Sequence, residues 1–348
     1  MASYRVSPPL WHWPVHLLDR ARVLWLRALG PLGRWLVRDR EARVGVAGAL
    51  AIVVALAMTL AFPIWLLALG PIVWGVPHVL SDVRYLVVRP GLHRRWPLWL
   101  AAGVPLVVLT FTLQTSWGLV AAAGAALVAR GSVARKLAVA TPIACLALLA
   151  GRDWFFAAVI FAHAHNVIGV ALWWAWRGRE RAMHLLPLAA FVLGNALLLS
   201  GALDPLLFAS GGLAHVAGGM DLYYHIGSLA PDALGALGPR LVLSFAFSQS
   251  VHYVIWVRMV PDEDRRRETP RTFASTLRAL RADFGWPLVA LAVLFAIGLA
   301  VWAAVDLFAA RTGYLRAVLF HGHLEVAAAA VFLVEGLRPS RATEAAPA

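Results

Sequence analysis

The sequence predicts an all-α fold, a polytopic transmembrane helix bundle of about ten spans. Of the 348 residues, 61% are hydrophobic and only 14% are charged, whereas about 25% of the residues in an average soluble domain are charged. The mean hydropathy is +0.73. Apolar runs approach the roughly 20 residues that a membrane-spanning helix needs, and they recur along most of the chain. These observations indicate an integral membrane protein.

Ten apolar segments carry the predicted spans. They are residues 44–62, 64–88, 97–114, 116–130, 137–150, 153–176, 183–200, 240–258, 286–308 and 312–336. The first two are divided at Phe62-Pro63, because proline breaks the helical hydrogen-bond ladder and disfavours helix in the residue before it. Segments 116–130 and 137–150 are short for a full crossing, so their boundaries are the weakest of the set.

Arginine and lysine cluster after alternate spans, for example in residues 89–95, 130–136 and 258–281. The turns between these tracts are poor in basic residues, with Arg152 and Arg311 as the exceptions. The positive-inside rule therefore predicts five hairpins with both termini cytoplasmic, in a bacterial inner membrane. The same tracts account for the net charge of +13 through contacts with membrane lipids, so no nucleic-acid partner is expected.

The predicted transmembrane domain covers residues 44–338. Residues 1–43 mix tryptophan with arginine, which suits either a basic amphipathic helix on the membrane surface or a plain cytoplasmic arm. Residues 201–239 are too rich in glycine for a span and too apolar for an ordinary loop, so they predict an external re-entrant segment or lid. Residues 259–284 predict a cytoplasmic loop, and residues 339–348 predict a disordered tail.

Histidine recurs near the middle of four predicted spans, and all four spans run from the outside to the inside. An ionisable side chain at membrane depth is costly and usually marks a functional site. The histidines lie roughly 14–21 Å below the outer helix ends, in the middle of a hydrocarbon layer about 30 Å thick. A single buried histidine is more often a hydrogen-bonded core residue, but four at one depth predict a shared metal or haem site.

Two of these spans contain an HxH pair. Side chains two residues apart point roughly 200° apart on a helix, so only one histidine of each pair faces the site. The predicted ligands are His78, His163, His252 and His321, with His165 and His323 as alternates. The choice between His163 and His165 is nearly even, whereas Glu325 favours His321.

Polar neighbours at the same depth are predicted to support these ligands. Asp82 follows His78 by four residues and Glu325 follows His321 by four, which places each carboxylate on the same helix face as its histidine. Such a carboxylate can accept the second N–H of a metal-bound imidazole or can itself be a ligand. The remaining predicted supports are Asn166, Gln249 and Tyr253.

The external segment adds a possible gate. Its polar and aromatic side chains either control entry to the site or are incidental to a loop. The candidates are His215, Asp221, Tyr224 and His225.

Imidazole with few carboxylates suits iron, copper or zinc and not calcium or magnesium. Cys145 is the only cysteine, which excludes thiolate clusters and intrachain disulfides, and the absence of CxxCH excludes covalently attached haem. Fe(II) is the leading expectation, because an imidazole site in an apolar cavity suits oxygen chemistry on a lipophilic substrate. Haem b between two axial histidines, zinc and copper are the alternatives.

The segment Gly75-Val76-Pro77-His78-Val79-Leu80-Ser81-Asp82 resembles the GxxHGxxD motif of the Brp/Blh family of membrane β-carotene 15,15′-dioxygenases. Val79 stands where that motif has its second glycine, and the match covers this segment alone. The resemblance implies a polytopic fold, an iron-ligand role for His78 and a supporting role for Asp82. It also implies oxidative cleavage of a carotenoid.

The leading functional hypothesis is therefore a histidine-ligated, non-haem iron oxygenase that acts within the membrane on a carotenoid or lipid. One alternative is a haem-b membrane protein for electron transfer. Another is a proton-coupled transporter with a relay of His, Asp and Glu, and a third is an assembly factor whose histidines only cross-link helices. The sequence predicts neither the product nor the oligomeric state.

Overall fold

The computed structural model describes residues 13–178, 181–231, 235–265 and 268–338. Across these ranges the chain is helical, without β-strands and with a single isolated bridge between Ala217 and Met220. The predicted all-α class is confirmed. The predicted tail, 339–348, lies outside the described residues, as do residues 1–12 of the N-terminal arm.

Helices cover each of the ten predicted segments, and the described residues also contain helices outside them. In chain order they are α1 (Trp13–Ala28), α2 (Gly30–Arg38), α3 (Arg40–Ala61), α4 (Pro63–Val88), α5 (Trp96–Thr112), α6 (Thr115–Val128), α7 (Val133–Arg152), α8 (Trp154–Ala175), α9 (Ala182–Ser200), α10 (Asp204–Ser210), α11 (Leu222–Leu229), α12 (Leu237–Val254), α13 (Phe273–Val305) and α14 (Leu307–Glu335). Among them α3, α4, α7, α8, α9, α13 and α14 are long and apolar enough to cross a membrane. These seven helices indicate an integral membrane protein.

The two segments that are short in the sequence, 116–130 and 137–150, form helices of different length in the structure. The helix α7 extends beyond the predicted 137–150 at both ends, and its 20 residues qualify it as a candidate span. The helix α6 stays short at 14 residues. Its buried alanines, such as Ala122 and Ala126, pack in one core with Ala327 and Ala330 of α14, because small residues let helix backbones approach closely.

Ion pairs join the ends of some helices to the starts of others. Asp262, beyond the end of α12, pairs with Arg43 near the start of α3 at 2.9 Å. Glu335, at the end of α14, pairs with Arg95 just before α5 at 2.5 Å. The ends of α12 and α14 thus lie beside the starts of α3 and α5, so these helices run in opposite directions. We call this the ion-paired end of the bundle.

The predicted loop at 259–284 is largely helical. A π turn (Ile255–Met259) and a short helix (Val260–Glu263) prolong α12. The helix α13 begins at Phe273, where Thr272 and Ser275 form a capping box that satisfies the first backbone N–H groups. Gly285, at φ 76° and ψ 164°, then kinks α13. The part before the kink lies against α1, because the Asp19 carboxylate accepts hydrogen bonds from the Phe273 and Ala274 amides.

The segment 201–239 folds over the opposite end of the bundle. Its described part contains α10, α11 and the bridge between Ala217 and Met220. Ser210 donates a hydrogen bond of 2.8 Å to the Leu60 carbonyl at the end of α3. The segment therefore covers the turn between α3 and α4 with short helices.

Candidate metal centre

One histidine from each of four helices lies in a single cluster inside the bundle. His78 of α4, His165 of α8, His252 of α12 and His321 of α14 form what we call the histidine cluster. Ring centroids are 4.8 Å apart for His78 and His321, 4.7 Å for His165 and His252, and 5.3 Å for His165 and His321. Each histidine lies roughly 16–23 Å from the start of its helix at 1.5 Å per residue.

Four side chains of this region could hold a metal ion together. One ligand atom each from His78, Asp82, His252 and His321 lies within 4.8 Å of the other three. The Nε2 atom of His78 is 3.7 Å from Oδ2 of Asp82. Three imidazoles and one carboxylate form a donor set that suits a divalent transition metal.

The hydrogen bonding of the cluster also fits an ion. Asp82 is fully buried, and His78 and His252 are 2% and 1% exposed. Neither oxygen of Asp82 and neither ring nitrogen of His78 or His252 makes a hydrogen bond of normal geometry with the described residues. Buried polar atoms in proteins almost always have a partner, and those that lack one call for an explanation such as a bound ion.

Three rings of the cluster have one nitrogen close to an oxygen of the protein. His165 Nδ1 lies 3.2 Å from the Ala162 carbonyl, and His321 Nδ1 lies 2.5 Å from the Val318 carbonyl. His252 Nε2 lies 3.2 Å from Glu325 Oε1. The contacts of His165 and His321 are of the kind that sets the tautomer and the orientation of a metal-binding imidazole, and they leave the second nitrogen for the ion.

The backbone departs from regular α-helix beside three of the ligands. A π turn (Val83–Val88) follows Asp82 directly, and another (Ile255–Met259) begins shortly after His252. The helix α14 is interrupted between Ala317 and Phe320, and this break frees the Val318 carbonyl for His321. Such interruptions are frequent at functional sites, although this chain has π turns elsewhere, as at Trp99–Gly103.

Two glycines let helices approach the cluster closely. A Cβ atom on Gly169 of α8 would lie 2.5 Å from His252 Nδ1, too close for any real contact. A Cβ atom on Gly322 would lie 3.1 Å from His165 Cδ2. The absence of a side chain at these positions therefore determines where the His252 and His165 rings can lie.

The structure corrects the choice within the first HxH pair, because His165 and not His163 faces the cluster. His163 points toward α11, where its Nε2 lies 2.8 Å from the Leu229 carbonyl. Its ring packs edge-on against Phe245 at 5.4 Å. Side chains two residues apart on a helix point in nearly opposite directions, and the rotation of α8 about its axis selects His165.

In the second pair, His321 lies in the cluster and His323 does not. The His323 ring stacks on Phe161 with centroids 3.7 Å apart. It also covers Gly118, where a Cβ atom would lie 1.9 Å from His323 Cδ2. Glu325 contacts His252 of a neighbouring helix, which corrects the prediction that it supports His321 of its own helix.

The other three residues predicted to support the ligands lie at different places relative to the histidine cluster. The Tyr253 ring lies 4.9 Å from the His78 ring. Gln249 lines the cavity described below, together with His252. Asn166 is buried, and its Nδ2 donates to the Ala162 carbonyl, one turn back in α8, at 3.3 Å.

The histidine cluster lines one wall of a cavity of about 440 Å³. We call this space the cluster cavity. Its lining is mostly apolar and aromatic, and it includes Phe161, Phe245 and Leu319. Leu113, Trp154 and Phe155 also line it, and they lie at helix ends opposite the ion-paired end. A large, mostly apolar cavity with a few convergent polar groups is the usual form of a small-molecule site.

Of the predicted gate residues, only Tyr224 lines the cluster cavity. Asp221 instead caps α11, where it accepts a hydrogen bond of 2.8 Å from the Tyr224 amide. His225 is buried beside Tyr224, with ring centroids 5.2 Å apart. His215 stacks on Phe62 at 5.8 Å. Burial, and then the charge of the nearby Arg311, lower the pKa of His225 to about 4.

Arg311 and Tyr314 are among the polar residues of the cavity wall that sequence reasoning missed. Arg311 is buried, and its Nε donates to the Leu67 carbonyl at 2.8 Å. The sequence did contain a sign of its importance: Arg311 is a basic residue in a predicted external turn, where the positive-inside rule expects few basic residues. The Tyr314 ring packs on Gly75, where a Cβ atom would lie 2.4 Å from the hydroxyl.

Comparison of the chain with protein-family models, curated proteins and solved structures gives no match. The likeness of the segment around His78 to the Brp/Blh motif therefore stands on that motif alone. The geometry of the cluster and of its cavity is the remaining guide to function.

Proposed function

We propose that this protein is a membrane-embedded oxygenase in which His78, His252, His321 and Asp82 hold a single iron ion, with His165 beside it. The observation that carries the proposal is the convergence of these side chains at one wall of an apolar cavity, where His78, His252 and Asp82 are buried and make no hydrogen bond with the described residues. Sets of histidines with one carboxylate are typical of non-haem Fe(II) oxygenases. The bound iron would supply the redox chemistry with dioxygen.

The residues around the ligands would hold the site rigid. Glu325 orients the His252 ring, and the Val318 carbonyl orients the His321 ring. Phe161 and Phe245 exclude water from the inner part of the cluster cavity, which strengthens the interactions of charged groups there. The chain would thus provide a dry, preorganised site for an apolar substrate such as a carotenoid or lipid, which enters beside Trp154 and Phe155.

The crowding of the rings favours a single ion over haem. A porphyrin between two axial histidines needs a flat slot that other side chains leave empty. His252 and His321 have centroids 6.4 Å apart, but the His78 and His165 rings lie within 5.3 Å of both. These two rings fill the plane that a porphyrin would occupy.

A second candidate is a proton-coupled transporter, and the observation that favours it is the pair of fully buried carboxylates, Asp82 and Glu325. Buried carboxylates next to histidines can exchange protons along a relay. In that case the cluster would bind protons and no metal.

The proposed topology has ten spans in five hairpins, with both termini cytoplasmic. It is supported by the agreement of the helices with the ten apolar segments, and by the position of the basic tracts at the ion-paired end. The helices α5, α6 and α12 are shorter or less apolar than the seven candidate spans. They would cross the membrane within the shelter of the bundle, where α12 has most of its side chains buried.

The test is the metal content and visible spectrum of the purified protein, measured together. We expect stoichiometric iron without a Soret band, and loss of the iron in His78→Ala and His252→Ala. His163→Ala is the matched control, because this residue lies outside the cluster, and it should keep its iron. A metal-free preparation with activity driven by a pH gradient would support the transporter, and a Soret band would support haem.

A further inference from the structure

A second cavity, of about 600 Å³, lies at the ion-paired end among α1, α4, α12 and α13. Its two halves differ in chemistry. The polar half is lined by five arginines and one carboxylate: Arg22, Arg43, Arg84, Arg258, Arg271 and Asp262. The other half is apolar and is lined by residues of α4 and α13, such as Leu80, Val289 and Val293. We call this space the basic cavity.

The positive charge of the basic cavity exceeds what its carboxylates balance. Asp262 accepts from both Arg43 and Arg258, at 2.9 and 3.2 Å, and Arg84 pairs with Asp283 at 2.6 Å. Arg22 and Arg271 form no salt bridge with any residue that the structure describes. Burial, followed by the charge of Arg258, lowers the pKa of Arg22, although the charges of Asp262 and Asp19 act in the opposite direction.

Neutral oxygens are the partners of these two arginines. Arg22 Nη1 donates to the Arg271 carbonyl, and Arg271 Nη1 donates to the Tyr85 hydroxyl at 3.3 Å. Each guanidinium has five N–H donors, so both keep donors for a further acceptor. Guanidinium groups bind phosphate oxygens in a bidentate manner, with charge-assisted hydrogen bonds.

The helix α1 lines the basic cavity on one side and exposes large apolar side chains elsewhere. One side of α1 is bound to α13 through Asp19, and Arg22 lines the cavity on that side. On the other side Trp13, Leu24 and Trp25 are exposed by 59%, 64% and 72%. Exposed tryptophan and leucine on an amphipathic helix are typical of a surface that dips into the membrane interface.

We propose that the basic cavity binds an acidic phospholipid, with its phosphate between Arg22 and Arg271 and an acyl chain in the apolar half between α4 and α13. Basic pockets between helices on the cytoplasmic side suit anionic headgroups, and the apolar half suits only a ligand that also has a chain. The cavity is also lined by Pro77 and Ser81, the neighbours of His78 and Asp82. The lipid would therefore stabilise the part of α4 that carries two residues of the histidine cluster.

The test compares ligands by their effect on the thermal unfolding of delipidated protein in detergent. Phosphatidylglycerol should raise the unfolding temperature saturably, whereas phosphatidylcholine with the same chains and glycerol phosphate alone should not. Arg22→Gln combined with Arg271→Gln should weaken phosphatidylglycerol binding at least tenfold. Arg27→Gln is the matched control, because Arg27 lies on the same helix, exposed and outside the cavity lining.

A third variant keeps the test decisive if the double variant does not fold. Ala292→Phe fills the apolar half and should weaken phosphatidylglycerol binding with all five arginines intact. Equal effects of phosphatidylglycerol and phosphatidylcholine would overturn the proposal, and so would unchanged binding in both the double variant and Ala292→Phe. If glycerol phosphate raised the unfolding temperature as much as phosphatidylglycerol does, the proposal of a lipid site would be overturned. The basic cavity would then be a site for small anions. None of these outcomes depends on the bound metal.

Discussion

At the scale of single residues, the protein buries polar groups that find no hydrogen-bond partner among the residues the structure describes. Asp82 is the clearest case, since its carboxylate is fully buried and has no donor among the described residues. An unsatisfied buried polar group costs about 1–3 kcal/mol, and more when it is charged. A cation bound as we propose would offset this cost for Asp82, His78 and His252 together.

The substitution Gly169→Ala should weaken metal binding without removing a ligand. The new Cβ atom would lie 2.5 Å from His252 Nδ1, so either the ring or α8 must move. We expect roughly a 10–100-fold loss of iron affinity, as for other changes that misplace a metal ligand. Gly298→Ala on α13 is the control, because nothing lies within 4 Å of that position. Equal iron affinity in the two variants would contradict the proposed position of His252.

His225 should make the external segment less stable in mild acid. Burial, followed by the charge of Arg311, lowers its pKa from 6.5 to about 4. Between these two values the unfolded segment binds a proton that the folded segment excludes, so the stability falls as the pH decreases through this window. The protection factors of the amides in residues 222–229, which are corrected for the intrinsic exchange rate at each pH, should therefore fall between pH 7 and pH 5.

The variant His225→Gln should lose most of this pH response. His93→Gln, in a residue near the ion-paired end, should keep it. A response of the same size in His225→Gln and in the unchanged protein would assign the effect to another group.

At the scale of helices, the interruptions are as informative as the regular turns. The π turns after Asp82 and His252 and the break before His321 all lie within a few residues of the cluster. A kink of another kind, at Gly285, separates the polar start of α13 from its apolar remainder. Each interruption redirects a helix that would otherwise continue straight, so these positions determine the shapes of both cavities.

The kink in α13 should depend on Gly285. Its φ of 76° and ψ of 164° lie in a region that is open essentially to glycine alone, and another residue there costs about 1–3 kcal/mol. Gly285→Ala should therefore lower the unfolding temperature and weaken the contact of α1 with α13. Gly298→Ala, in the regular part of the same helix, should leave both unchanged. Stability equal to that of the unchanged protein would show that α13 can straighten without cost.

At the scale of the whole molecule, charge and hydropathy divide the bundle along its axis. The ion pairs of Arg43, Arg84, Arg95 and Arg177 gather at one end, and the basic cavity lies there as well. The cluster cavity reaches toward the other end, where the short helices of residues 201–231 cover the turn between α3 and α4. The two cavities therefore open toward opposite sides of the proposed membrane.

Cysteine labelling in intact cells should confirm the ten-span topology. With Cys145 replaced by alanine, Gln114→Cys in the turn between α5 and α6 should react with a membrane-impermeant maleimide. Ser132→Cys, between α6 and α7, should react only after lysis, because the basic residues around it predict a cytoplasmic position. The reverse pattern, or labelling of both sites before lysis, would contradict this topology.

The sequence by itself determined the helical class, the position of each apolar helix and the four helices that carry the cluster. These properties are local, since hydropathy, proline and basic residues act through their immediate surroundings and the bilayer. The periodicity of a helix also showed that only one histidine of each HxH pair could face a common site. It could not show which one, because that depends on the rotation of the helix about its own axis.

Only the tertiary structure decided the contacts that depend on two helices at once. In the structure His165, and not His163, lies in the histidine cluster. Glu325 contacts His252 and not, as the sequence had predicted, His321. Arg311 and Tyr314 line the cavity wall. Gly169 and Gly118 show the reason, because the absence of one side chain on a helix sets the position of a ring on another. Packing between helices distant in the chain is a property of the assembled bundle, and no local pattern of residues encodes it.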